Sequence, residues 1–178
     1  MNTSADMLVY MTQVGYQQLL HKLAEKQKEY DQVRDHRQVA FELSGDGWHD
    51  NPEFNRMQQM EANLNHTMKM LTDRLDMMKI IEINDAMRNL HQVEIGSIVH
   101  LRRYDLADDS VQNEFWEIRG FDETNIPQRH LAYNAPLATK IMHLQIGDLA
   151  EEVKIGSRHF DIEVIQLFPN RISAKLSN

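Results

Sequence analysis

The sequence predicts an α+β protein in which a long N-terminal antiparallel coiled-coil helical hairpin precedes a C-terminal antiparallel β-sheet domain with a short helix. Two stretches rich in helix formers, separated by a short turn-rich segment, predict the hairpin. A change near residues 90–96 to hydrophobic alternation with a period of two predicts the sheet. We place the hairpin at residues 11–88, with its tip at 45–53, and the sheet domain at 96–168.

The first predicted helix runs between residues 12 and 44, where Gly15 is the only glycine and proline is absent. Its seam follows alternating spacings of three and four residues, at Tyr16, Leu19, Leu23, Lys26, Tyr30, Val33, Arg37 and Ala40. This spacing is typical of a coiled coil, in which one narrow stripe packs against a partner helix.

The second predicted helix repeats the pattern at Phe54, Met57, Glu61, Leu64, Met68, Leu71, Leu75 and Met78. Facing residue numbers sum to a constant in an antiparallel pair. If Ser44 lies opposite Phe54, Arg37 faces Glu61. Two of the three charged residues in the seam, Arg37 and Glu61, are therefore predicted to meet and fix the register.

The C-terminal half contains four strand-like segments, at residues 97–104, 114–120, 151–155 and 159–167. Acidic, turn-rich connectors separate them, and Pro136 suits the first turn of a short helix that ends near Met142.

Composition limits the possible functions. The net charge is -8, from 19 Lys and Arg against 27 Asp and Glu, so binding to free duplex DNA is expected to be weak or absent. Any nucleic-acid contact is expected to be local or made through a partner. The chain has no Cys, which excludes disulfides and zinc-thiolate sites. The absence of Cys also fits a reducing cytoplasm, and the short apolar runs predict a protein without a membrane partner.

The tip, SGDGWHDNPEF at residues 44–54, has an unusual composition for a turn. It contains neither Lys nor Arg but collects three carboxylates, a His and a Trp: Asp46, Asp50, Glu53, His49 and Trp48. Its Asp-Gly pair and its Pro-Glu pair also suit an ordinary turn and the start of a helix. Turn chemistry alone does not require three carboxylates and a Trp.

Three parts of the sequence resemble the bacterial Gre transcript-cleavage factors, over about residues 11–168. They are MTQVGYQQLLHKL, the tip GDGWHDNPEF, and LAYNAPLATKIMHLQIGD followed by FDIEVIQL. The resemblance implies an FKBP-like C-terminal domain that docks on bacterial RNA polymerase and a hairpin that enters its secondary channel. It also implies an elongation factor that stimulates the polymerase's own Mg-dependent cleavage of backtracked RNA, rather than an independent enzyme.

The resemblance assigns roles to the tip residues. Asp46 and Asp50 take the places of the two metal-coordinating acids, and would hold a Mg ion jointly with the polymerase. By the same match Asn51 and Glu53 brace the loop. The chain departs from the family pattern by one extra residue among 47–49 and by the shorter carboxylate of Asp50.

Other residues receive less specific assignments. Trp48 either stacks on a nucleotide or packs back over the turn, and His49 is either simply exposed or serves as a metal ligand or general base. Arg37 and Arg56 are basic residues close to the tip and are expected to lie near the RNA 3' end, which the chain would contact indirectly. The alternative role for Arg37 is to fix the register of the two helices through its pairing with Glu61. The expected docking residues, in a chain expected to be monomeric, are Pro136, Gly147 and Asp148.

Two other functions remain open. A regulator of the same fold could occupy the channel and inhibit or modulate the polymerase without promoting cleavage, which the extra tip residue and Asp50 favour. A plain coiled-coil adaptor is the weaker alternative, because it leaves the acidic tip unexplained.

Overall fold

A computed structural model describes residues 8–175, which fall into two compact units. The helical unit comprises residues 8–9 and Tyr16–Lys79, and the sheet unit comprises Tyr10–Gly15 and residues 80–175. The element order confirms the predicted α+β class, with a helical hairpin followed by a sheet and a short helix. Within the described part of the chain, no helix has the length and apolar character needed to cross a membrane.

The hairpin consists of α1 (Gln13–Ser44) and α2 (Pro52–Asp76), joined by a 3₁₀ turn at Gly45–Asp50. With a rise of about 1.5 Å per residue, α1 is about 48 Å long. The side chains buried along the seam are Leu19, Val33 and Ala40 of α1 and Phe54, Met57, Met68 and Leu71 of α2.

The predicted register is confirmed by the charged pair in the seam. Arg37 Nε lies 2.7 Å from Glu61 Oε2, as an ion pair rather than an aligned hydrogen bond. The Tyr30 hydroxyl donates to Glu61 Oε1 at 3.1 Å, and this bond raises the pKa of Tyr30. Glu61 therefore serves two side chains of the opposite helix.

The second helix ends earlier than its seam pattern predicts. Met78 does not continue α2 but begins strand β2 (Met78–Ile81), which pairs with β1 (Val9–Thr12) in a two-stranded sheet. The backbone N–H of Val9 donates to the carbonyl of Met77 at 3.0 Å. The backbone hydrogen-bonding groups at the end of α2 therefore pair with β1 instead of forming a further helical turn.

The start of α1 is capped by a side chain distant in sequence. Thr12 Oγ1 accepts the backbone N–H of Gly15 at 3.2 Å, as an N-cap residue does. The Glu123 carboxylate in turn accepts the Thr12 backbone N–H at 2.7 Å and the Thr12 hydroxyl at 2.9 Å. In an ordinary capping box the third helical residue supplies this carboxylate. Here that position is Gly15, and Glu123, in the same unit, supplies the carboxylate.

The main sheet has five strands in the order β5-β4-β3-β7-β6. Their bounds are β3 Ile98–Asp105, β4 Val111–Arg119, β5 His130–Ala132, β6 Leu149–Ile155 and β7 Arg158–Phe168. The four predicted strands are present as β3, β4, β6 and β7. The short helix α3 (Pro136–Ile141) also occurs where Pro136 predicted it.

The sheet is mixed rather than wholly antiparallel. Strand β5 pairs parallel with β4, with Glu117 opposite His130 and Arg119 opposite Ala132. Residues 120–129 carry the chain back past the end of β4, so that β5 runs in the same direction. The core of this unit gathers apolar side chains from its strands and α3, including Val99, Leu101, Ile118, Ile141, Ile162 and Val164.

Candidate functional site at the hairpin tip

Asn51 joins the end of one helix to the start of the other. Its side-chain oxygen accepts the backbone N–H groups of Glu53 at 2.9 Å and Phe54 at 3.4 Å, which caps α2. Its side-chain nitrogen donates to the carbonyl of Ala40 at 3.2 Å and to the hydroxyl of Ser44. One amide therefore ties the last turn of α1 to the first turn of α2.

Trp48 packs back over the turn. Its ring lies 5.8 Å from that of Phe41 and 4.9 Å from that of Phe54, measured between ring centroids. Phe54 is buried in the seam and Trp48 is half-buried. These contacts favour the packing role over stacking on a nucleotide. The seam pattern does not predict a role for Phe41, which lies beside the seam position Ala40.

The candidate metal-binding acids are free. Asp46 and Asp50 are exposed, and within residues 8–175 neither carboxylate has a hydrogen-bond or ion-pair partner. The 3₁₀ conformation affects their spacing, since side chains three residues apart lie on one face of such a turn. Asp46 therefore shares a face with His49, while Asp50 lies about a third of a turn further round.

Glu53 and Arg56 form a pair on the first turns of α2. Arg56 donates from Nε at 3.0 Å and from Nη2 at 2.8 Å to the two Glu53 oxygens. This bidentate bond to Arg56 holds the pKa of Glu53 below its usual value. Both basic residues assigned to the tip thus have a carboxylate partner, Glu53 for Arg56 and Glu61 for Arg37.

The tip has the donor type that Mg prefers but too few donors to hold the ion alone. Carboxylate oxygens are suitable ligands for this hard cation, and Asp46 and Asp50 are both available. Over residues 8–175, no group of three or more His, Asp or Glu side chains is placed to hold a metal ion. Two acids fit a Mg site to which another protein contributes ligands.

The three predicted docking residues all lie in the sheet unit. Pro136 is exposed at the start of α3. Gly147 and Asp148 form the exposed turn before β6, where Gly147 has a φ of +92°. The Asp148 carboxylate accepts the backbone N–H of Gln145 at 2.7 Å, which closes that turn.

No family model matches the chain. A transcription elongation factor GreA from Nautilia profundicola is 25% identical over 161 residues, covering 87% of this chain and 92% of that protein. The chain is similar to the Gre transcription elongation factors. The match confirms the resemblance predicted from the sequence. The aligned residues cover 87% of the chain and therefore include residues of both units.

Two solved structures of Gre-related proteins also align with it. GreA factor homolog 1 of Thermus thermophilus gives a TM-score of 0.41 at 18% identity, covering 90% of this chain and 99% of that one. The GreA/GreB factor of Nitrosomonas europaea gives 0.35 at 14% identity, covering 90% and 97%. TM-scores of this size do not establish a shared overall arrangement, so the similarity rests on the sequence match.

Proposed function

We propose that this chain is a Gre-family transcription elongation factor that binds bacterial RNA polymerase and inserts its hairpin into the secondary channel. One observation carries the proposal: two exposed carboxylates without partners in the described chain, Asp46 and Asp50, lie at the end of a long helical hairpin. The similarity to a protein named as a transcription elongation factor supports it. The chain would act as a cofactor of the polymerase rather than as an independent enzyme.

The tip residues have separate roles in this proposal. Asp46 and Asp50 offer oxygen ligands to a Mg ion held jointly with the polymerase. When bound, such an ion supplies charge neutralisation on the phosphate and an activated water for hydrolysis of backtracked RNA. Asn51 and Trp48 hold the turn in place, because the one bridges the two helices and the other packs on Phe54. This bracing keeps the two carboxylates in position, as a catalytic site requires.

Arg37 and Arg56 are the residues of the hairpin assigned to the neighbourhood of the RNA 3' end. Arg56 is the better candidate for a direct contact, because its side chain is 62% exposed against 32% for Arg37. A phosphate would compete with Glu53 for the Arg56 guanidinium. The sheet unit would dock on the polymerase through Pro136, Gly147 and Asp148, with the chain acting as a monomer.

The test is transcript cleavage in a stalled, backtracked elongation complex at several Mg concentrations. Wild type is compared with the double variant Asp46→Ala, Asp50→Ala and with Asp73→Ala, which removes an exposed acid from the same hairpin far from the tip. We expect short 3' RNA fragments from wild type and Asp73→Ala and none from the double variant. Affinity for polymerase should stay within a few-fold in all three. Cleavage retained by the double variant would remove these acids from the mechanism.

A second function is favoured by the 3₁₀ turn, which places Asp46 with His49 rather than with Asp50. In this alternative the chain occupies the channel and slows synthesis without promoting cleavage. Wild type would then yield no fragments and would slow nucleotide addition, while the double variant would not. If a tagged chain captured no polymerase, both functions would fail and the adaptor alternative would stand.

A further inference from the structure

The sheet unit contains a cavity that the proposed function does not use. It opens beside β3, β4 and β7 and has a volume of about 540 Å³. Cavities that bind small ligands typically measure about 300–1,000 Å³. The cavity is therefore large enough to be a ligand site.

Aromatic rings form one wall of this cavity. His100 and Phe115 face each other across β3 and β4, and their rings stack at 4.4 Å with an interplanar angle of 8°. The ring of Phe168, on β7, lies 6.2 Å from that of Phe115. All three side chains are half-buried, so the wall keeps ring surface facing the cavity. An exposed aromatic surface of this kind can stack on a planar ligand.

Polar side chains border the rings and supply both donors and acceptors. Asn113 lies beside His100, with its Oδ1 2.9 Å from His100 Nε2. Gln166 lies opposite His100 on the neighbouring strand β7. Both amides are exposed and line the cavity. Amide groups next to a stacking surface can hydrogen-bond the edge of a base.

The charge of the lining is opposite to that of the protein. Arg129 and Lys175 are exposed cations at the cavity, and none of the residues that line it is acidic. The whole chain carries 27 acidic residues and a net charge of -8. A cavity whose charged lining residues are all cations, in a protein of net negative charge, is complementary to an anionic ligand.

We propose that this cavity binds a nucleotide unit, as a free mononucleotide or as part of single-stranded RNA. The base stacks beside the His100–Phe115 pair, Asn113 and Gln166 contact its edge, and Arg129 and Lys175 pair with the phosphate. Sheet surfaces that bind single-stranded RNA combine aromatic stacking with flanking basic residues in the same way. This site lies outside the hairpin and requires no polymerase, so its test does not depend on the proposed function.

The test measures binding by the isolated full chain. The probe is a six-nucleotide oligoadenylate RNA with a 5' fluorescein, followed by fluorescence anisotropy at low salt. We expect wild type to bind, and Phe115→Leu, which removes the stacking ring, to weaken binding at least about five-fold. Displacement of the probe by unlabelled AMP identifies a free nucleotide as a ligand. Displacement by unlabelled hexamer alone identifies single-stranded RNA.

Charge variants keep the test decisive if Phe115→Leu fails to fold. Each of Arg129→Gln and Lys175→Gln should reduce the slope of log affinity against log salt by about 0.7, the change expected for one lost phosphate contact to a single strand. The matched control is Lys154→Gln, an exposed cation on β6 outside the cavity, which should leave the slope unchanged. The proposal is overturned if wild type does not bind, or if a folded Phe115→Leu binds equally well. It is also overturned if the two cavity variants behave like Lys154→Gln.

Discussion

Position 15 must be glycine because Glu123, more than a hundred residues later in the sequence, packs against it. A Cβ built at Gly15 would lie 2.3 Å from Glu123 Oε1 and 2.8 Å from Met11 Cγ. A glycine inside a helix normally costs about 1 kcal/mol relative to alanine. Here the missing side chain leaves room for the carboxylate that accepts two hydrogen bonds from Thr12.

We expect Gly15→Ala to destabilise the protein, despite the higher helix propensity of alanine, because the new methyl group displaces the Glu123 carboxylate from Thr12. The measurement is the free energy of unfolding by denaturant. In a Glu123→Ala background the carboxylate is absent, so the same substitution should cost at least about 1 kcal/mol less, the value of a typical hydrogen bond. Equal costs in the two backgrounds would show that Glu123 does not constrain position 15.

Individual contacts also show which features can be predicted from the sequence and which cannot. The Arg37–Glu61 pair could be predicted because antiparallel helices fix which numbers face each other. The Glu123 cap could not, since its partners are 111 residues apart and no local pattern connects them. The 3₁₀ conformation of the tip was also not predicted, because one extra residue in a turn can be absorbed in several backbone conformations.

At the scale of elements, prediction succeeded where a pattern was long enough to repeat. The two helices and strands β3, β4, β6 and β7 each contain several periods of their hydrophobic pattern. Strands β1, β2 and β5 were missed, because three or four residues are too few to show an alternation. The pairing of short strands is decided by neighbours in space, as the parallel pairing of β5 with β4 shows.

The pairing of α1 with α2 can be tested through Arg37 and Glu61. We expect a double-mutant cycle with Arg37→Gln and Glu61→Gln to give a coupling free energy of about 0.5–1 kcal/mol. Coupling free energies of fully exposed ion pairs are typically about 0.2–1 kcal/mol. A value in the upper part of that range is expected here because both side chains are partly buried. The exposed pair Glu53 and Arg56, three residues apart on one helix, is the control and should give a smaller coupling. A coupling no larger than that of the control would mean that the seam pair does not fix the register.

At the scale of the whole molecule, the two units differ in how they are stabilised. The sheet unit contains side chains with no exposed surface at all, among them Val99, Leu101 and Ile118. The helical unit buries a single seam, in which Leu71 is 3% exposed. Units with few buried contacts open at lower free energy than the rest of a protein.

We therefore expect amides of β3 and β7 to exchange with solvent most slowly, and those of α1 and α2 faster, in native-state hydrogen exchange. Leu71→Ala should cost about 2–5 kcal/mol through the cavity that it leaves, and should speed exchange in the helices but not in β3. The reciprocal variant is Val164→Ala, in the core of the sheet unit, which should speed exchange in the strands. If Leu71→Ala accelerated β3 and the helices equally, the protein would open as one cooperative unit.

The distant cap of α1 also has a consequence for the order of folding during synthesis. The ribosome adds Thr12 long before Glu123, and at about 5–20 residues per second the 111 residues from 13 to 123 take roughly 6–22 seconds to synthesise. During that interval the first turn of α1 has only the Thr12 side chain to cap it. Helix α1 therefore obtains its complete N-terminal cap only after all of β3 and β4 has been translated.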